Sequence, residues 1–330
     1  LYARKKRGCR IRWAAPFRFI LSKGVRAMTK ASPLIKDLKK YKTAYLMAVP
    51  AVVLLFIFHY IPIYGLLIAF QNYKPARGIS GSTWVGLKNF TDFLTNSQFS
   101  TLLRNTLHIS VYSLLAGFPA PILLALMLNE VRCARFKKAV QTITYMPYFI
   151  STVVICGILR QFLAYDGLLN AVSALWGAKA VSFLSVPAYF PSIIVWSGIW
   201  QTIGWNSIIY MAALAGIDME LYEAASIDGC GKLKQVWYIT LPGILPTMIT
   251  LLILTLGGLF NVSTDKILLL YSPLTYETGD VFGTYVYRKG IRGGDYSYST
   301  AVGLVQTLCN FLLLVIANGI SKRVTEQSLW

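Results

Sequence analysis

Six stretches of this chain are long and apolar enough to cross a bilayer, and that feature removes most folds from consideration. They cover residues 44–70, 107–128, 139–159, 192–217, 244–262 and 301–320. Each approaches the roughly 20 residues that a helix needs to cross a hydrocarbon core. Inside that core no water satisfies a backbone N–H or C=O, so a continuous apolar run must be helical. The expected fold is all-α and polytopic, with six transmembrane helices. Composition agrees, at 55% hydrophobic and 14% charged, where a soluble domain carries about a quarter charged.

Two further apolar pieces are poor spans. Residues 168–191 are interrupted by Lys179 and carry Pro187 and Pro191, which suits an outer-surface helix. "ILLLYSPL", from Ile267, is too short to cross and either prolongs the fifth segment beyond Lys266 or re-enters.

The net charge of +19 would suit a nucleic-acid binder if the charges formed one patch. They instead cluster on loops between apolar segments, the pattern that orients a membrane protein. Of the 32 Lys and Arg residues, 22 fall in residues 1–43, the loop after the second segment, the loop after the fourth, and the tail. The excess of Lys and Arg on inner loops then places both termini, and the loop over residues 218–243, in the cytoplasm. That last loop has the weakest bias of the inner set, so its placement also rests on counting spans. Residues 1–43 read as a basic cytoplasmic extension drawn to anionic headgroups, at about 1 kcal/mol per basic residue; a start at Met28 is the other reading. Residues 44–330 then form the membrane domain. Cys9, Cys133 and Cys230 fall inside, and Cys156 and Cys309 within spans, so neither a disulfide framework nor a metal site is expected.

The loop "DMELYEAASIDGCGKLKQVWYITLPGILP" carries the strongest local signal. Asp218 suits an N-cap, and Glu220 and Glu223 suit the positive end of a helix dipole. Gly229 and Gly231 suit its end. Leu221, Ala224, Ala225 and Asp228 recur at i, i+3, i+4 and i+7 and so share a face, whose small residues permit close approach of another backbone. Such a short helix is unstable alone in water and needs something packed on it. A second helical piece is expected to stop at Pro242, with Pro246 heading the next span. From the residues alone, a docking elbow and an ordinary interhelical connection both remain open.

This loop resembles the EAA motif of permease subunits in binding-protein-dependent ABC importers. The motif appears as Glu223-Ala224-Ala225, Asp228-Gly229-Cys230, the turn glycine Gly231, and Ile239-Thr240-Leu241-Pro242, with Cys230 where the family usually has alanine. "WVGLKNFTDFL", followed by Asn105-Thr106, resembles the outer segment of sugar permeases, and residues 45–75 are similar to the oligosaccharide and polysaccharide branch, including alginate- and rhamnogalacturonan-type permeases. The resemblance runs from about residue 41 to the end. It implies a type I ABC importer permease in a bacterial cytoplasmic membrane. It also implies a second homologous permease, identical or different, two ATPase subunits that bind ATP and Mg, an external solute-binding protein, and an oligosaccharide substrate. In that family the loop is the coupling helix. The resemblance thus assigns Glu223, Ala224, Ala225, Asp228, Gly229, Gly231, Leu241 and Pro242 to ATPase coupling.

Sugar sites combine aromatic faces with buried amides and hydroxyls. In "WSGIWQTIGWNSIIY", Ser197, Gln201 and Trp205 share one helix face, and Asn206 and Tyr210 an adjoining stripe. These, with Asn261 and Asn310, are candidate substrate-path residues; hydrogen bonding between helices is the competing role for each amide. His59 lies mid-span, where a neutral imidazole bonded to a neighbouring helix is favoured over a proton relay. His108 reads as interfacial. Arg288, Lys289 and Arg292 on an outer loop would suit an acidic sugar, a binding-protein surface or headgroups. No phosphate-binding G-x-x-x-x-G-K-[ST] loop or hydrolase motif occurs, so the chain is expected to be a non-catalytic subunit without a cofactor. A stand-alone secondary transporter is the rival reading, against which stand the near absence of charges within the spans and the lack of an internal repeat.

Overall fold

The computed structural model describes residues 41–325; the basic extension therefore lies largely outside the described residues, as does Cys9. The chain is helical almost throughout. Its one sheet among the described residues is a hairpin of two-residue strands, β1 (Gln71–Asn72) antiparallel to β2 (Thr83–Trp84).

Among the described residues four helices are long and apolar enough to cross a membrane: α1 (Tyr45–Phe70), the continuous pair α3 (Ser97–Gly117) and α4 (Pro119–Glu130), α10 (Lys232–Gly257), and α14 (Tyr296–Thr325). Between α1 and α3 lies the short α2 (Lys88–Leu94). The third expected span is corrected. Residues 139–159 do not form one rod but belong to two helices, α5 (Ala134–Tyr145, extended by a 3₁₀ turn to Phe149) and α6 (Thr152–Phe162), bent by 101°. Pro147 sits in the 3₁₀ turn, Ile150 and Ser151 are extended, and Ser151 caps α6 by accepting the Val154 N–H. Two consecutive extended residues end any helix, however apolar their neighbours.

Residues 168–191 hold α7 (Leu168–Ala174) and a 3₁₀ turn, far short of a span, as expected. The fourth expected span is α8 (Phe190–Ala215), whose 26 residues carry no charge. Trp, Gln, Asn and Ser punctuate it. Its surroundings explain this, since it packs on α3, α4, α5 and α10 and runs through the middle of the bundle. After α9 (Met219–Ile227) and α10 come α11 (Thr264–Leu270), α12 (Tyr276–Gly279) and α13 (Phe282–Val286, continued as a π-helical turn to Arg292). The run from Ile267 thus does not prolong the fifth span: Gly258–Ser263 is non-helical and α11 is a separate short helix.

Three apolar clusters hold the bundle. Ile122, Ala125, Tyr210, Leu214 and Ile244 join α4, α8 and α10 at one end. Ile109, Cys156, Ile194 and Ile267 join α3, α6, α8 and α11 at the other. Phe93, Leu102, Tyr285 and Val302 join α2, α3, α13 and α14. α1 stands apart along most of its length, with every classified residue exposed from Tyr41 to Tyr64, and its last turns pack against α14, α2 and β1. His59 accordingly faces outward, with no hydrogen-bond partner among the described residues.

Candidate functional site

The elbow forms from strictly local signals. Asp218 accepts the Glu220 N–H at 3.0 Å and caps α9. At the other end the Cys230 N–H reaches the Ala225 carbonyl and the Gly229 N–H reaches Ser226, the double bond of a Schellman turn, with Gly229 at φ +76°. Gly231, expected to help end α9, instead has φ −70° and stands as the extended residue before α10.

Two expectations about this loop are corrected. The second limb does not stop at Pro242. A π-helical turn, Val236–Thr240, precedes Leu241, and the widened turn accommodates the proline, so Lys232–Gly257 runs on as one helix. The elbow's second limb is therefore the inner end of a span. Nor is Ala225 on an outward docking face, for it is only 8% exposed. Its small side chain lets α9 fold onto α10, where Gln235 donates to Ser226 Oγ at 2.9 Å and to the Cys230 carbonyl, and Tyr222 pairs with Thr240 at 2.9 Å. Leu241 likewise turns inward, against the Ile244 cluster. Among the outward residues are Leu221, Glu223, Ala224, Ile227, Asp228 and Leu233. Ile227 is 87% and Leu233 80% exposed. Apolar side chains protruding beside acidic ones make a surface suited to a protein partner.

The elbow is tied to the bundle at two points. Glu130, ending α4, forms an ion pair with Lys232 at 3.4 Å, and Gly243 faces Ile217 so closely that a Cβ there would lie 2.8 Å from Ile217 Cδ1.

Within the bundle a cavity of about 390 Å³ opens between α3, α8, α10 and the Gly258–Ser263 stretch, in the ~300–1,000 Å³ range of small-molecule sites. Asn206, Tyr210 and Asn261, three of the candidate residues, line it. A second chamber of about 420 Å³ shares Gly198, Thr202, Val262 and Ser263 with the first and adds Gln201, Thr152, Asp265 and Lys266. Trp205 lines neither. It stacks on Tyr148 at 4.5 Å with ring planes 3° apart and meets Phe149 edge-on at 5.6 Å, against the bent span. Ser197 is buried and bonds within its own helix. Gln201 Nε2 donates to the Ile150 carbonyl freed by the bend, at 3.4 Å. Asn310 and Asn261 prove to be one structural unit: Asn310 accepts the Phe260 N–H at 2.9 Å and donates to Asn261 Oδ1 at 3.0 Å, while Gln306 donates to the Phe260 carbonyl at 2.8 Å. These amides satisfy the backbone where α10 ends amid the bundle.

Of the outer cations, Arg288 is committed to Asp280 through two hydrogen bonds, of 3.0 and 2.5 Å, and lies over the Tyr276 ring. Burial pulls its guanidinium down, but the hydrogen bonds and charge of Asp280 outweigh that and hold it above its ordinary value. Lys289 and Arg292 remain exposed, and His108 is exposed beside Tyr112. None of the four described cysteines forms a disulfide, and no group of metal-ligating side chains occurs among the described residues. Sequence reasoning passed over Lys266, since its burial arises only when α11 folds against α6 and α8.

A bundle built around a cavity lined by apolar side chains with interspersed amides and hydroxyls, with an elbow continuous with one of its spans, is the architecture of a transport permease. Residues 117–326 match the family of binding-protein-dependent transport system inner membrane components, and the chain belongs to it. It is a permease subunit of an ABC importer of the type I fold. It is 41% identical over 302 residues to the polygalacturonan/rhamnogalacturonan transport system permease protein YteP of Bacillus subtilis, covering 91% of this chain and 94% of that one. Protein LplB of the same organism is 42% identical over 294 residues, covering 89% and 92%. Among solved structures, a bacterial ABC transporter involved in the import of the acidic polysaccharide alginate superposes with TM-score 0.82 at 40% identity, over 89% of this chain and 100% of that one. The bacterial alginate ABC transporter in complex with alginate pentasaccharide-bound periplasmic protein gives 0.83 at 39%, over 90% and 100%. Family membership sets aside the stand-alone secondary transporter.

Proposed function

We infer that this chain conducts an acidic oligosaccharide into the cytoplasm, received from an external binding protein and driven by two ATPase subunits that bind ATP and Mg. The chain itself contributes no catalysis; a second permease completes the pathway, and both termini lie on the ATPase side. The relatives named for polygalacturonan and alginate support the substrate class.

The observation that carries the coupling is the continuity of the elbow with α10. An ATPase seated on Glu223, Ala224 and Asp228 would move α9, and α9 is braced to a helix that lines the cavity through Leu251 and Thr255. Transmission requires such an element with two positions biased from both ends. Gly229, Gly231, Leu241 and Pro242 shape the lever. α1 supplies the pairing surface, being apolar, 26 residues long and uncovered by its own chain as far as Tyr64.

The test is reconstitution of both permeases and the ATPases in proteoliposomes with the binding protein. Glu223→Lys reverses a charge on the outward face. Uptake should fall at least about tenfold while the permeases still insert and pair. Normal uptake would remove the elbow from the coupling path.

A further inference from the structure

Lys266 is the one described lysine that is buried, at 3% exposure. The two ion pairs among the described residues, Glu130–Lys232 and Asp280–Arg288, do not involve it. Asp265, its neighbour, lines the same chamber but lies about 100° around the helix and forms no ion pair with it. A buried ammonium without a counter-charge is costly, and chains retain such groups where they serve a site.

The ammonium is aimed at the cavity. Lys266 lines the second chamber, and its Nζ lies 3.9 Å from where a Cβ on Gly198 would stand. Gly198 borders both chambers, so the missing side chain leaves the cation room at their junction. Around it stand neutral polar groups: Thr152, Thr202, Ser263 and Gln201. Thr152 opens the 11-residue α6, so the positive end of that helix dipole faces the same chamber. A cation and a helix N-terminus, beside hydroxyl and amide groups that also bond within the protein and with Asp265 the one acid on the same wall, make a surround that an anion carrying hydroxyls can enter.

We propose that Lys266 is a specificity-determining residue of the translocation path, pairing with the ring carboxylate of a uronate unit as it passes the junction of the two chambers. This rests on the acidic-oligosaccharide reading above and adds the residue that reads the charge.

The test uses the complete complex of permeases and ATPases in nanodiscs, titrated with pentagalacturonate and with its methyl ester, which keeps the sugar skeleton and removes the charge. The wild type should bind the acid at least about tenfold more tightly than the ester. Lys266→Gln should abolish that preference while leaving the ester's affinity unchanged, and Lys266→Arg should retain it. A preference undiminished in Lys266→Gln overturns the proposal. So does failure of Lys266→Gln to assemble while Lys266→Arg assembles, because Lys266 would then be pairing with an acid of the second permease. Uptake in proteoliposomes with the binding protein separates the two levels. A wild type that imports neutral but no acidic oligosaccharides defeats the substrate class itself, whereas acid uptake with a charge-blind Lys266 position defeats only this assignment.

Discussion

Gly229 and Gly231 stand two residues apart, yet only one of them has to be glycine. Gly229 holds φ +76° to close the Schellman turn, while Gly231 is at φ −70° in extended backbone that any residue adopts. Neither would bring a Cβ within 4 Å of another atom, so a substitution tests the backbone alone. Gly229→Ala should destabilise the elbow by about 1–2 kcal/mol and lower binding-protein-stimulated ATP hydrolysis; Gly231→Ala should leave it unchanged. A second contrast lies at Asn310. Asn310→Leu strands the buried Phe260 N–H and removes a donor to Asn261. It should lower stability by about 1–3 kcal/mol, read as a fall in the thermal midpoint of the purified protein. At this scale the elbow was legible in advance because capping and turn chemistry depend on neighbours in sequence. Lys266 was not, because its solitude depends on helices that sequence distance hides.

Among the helices, apolar length revealed where spans lie but not whether they are straight. The 139–159 stretch has the composition of a span, and its bend comes from Ile150 and Ser151, which nothing in a hydropathy count distinguishes. The bend in turn reassigns Trp205, whose face meets Tyr148 and Phe149 rather than the cavity. Helix α8 can approach α5 this closely because residue 204 lacks a side chain; a Cβ there would run into the Thr144 backbone carbonyl. Gly204→Val should therefore force the two helices apart, cost about 1–3 kcal/mol and reduce the yield of folded permease, measured by fluorescence-detected size exclusion. Gly303→Ala, on α14 with open space around it, should be neutral, which makes it the control for glycine loss in a span.

Sidedness belongs to the whole molecule. Charge counting orients this chain firmly through the loop after α4 and the start of α5, which carry Arg132, Arg135, Lys137 and Lys138, and only weakly through the elbow, with Lys232 and Lys234. The Glu130–Lys232 contact at 3.4 Å joins the two, placing the elbow beside the strongly basic loop on one face of the bundle. Exposed pairs of this kind add little stability, about 0–1 kcal/mol, yet their geometry fixes which ends of which helices are neighbours. Cys133 lies in that loop and is exposed. If the shared face is cytoplasmic, a membrane-impermeant maleimide should leave Cys133 unmodified in intact cells and label it in inside-out vesicles. Cys133→Ser serves as the blank, since Cys230 on the elbow shares the same side. Labelling of Cys133 in intact cells would put the elbow outside, where no ATP-driven subunit could reach it, and the coupling assignment would fall with the orientation.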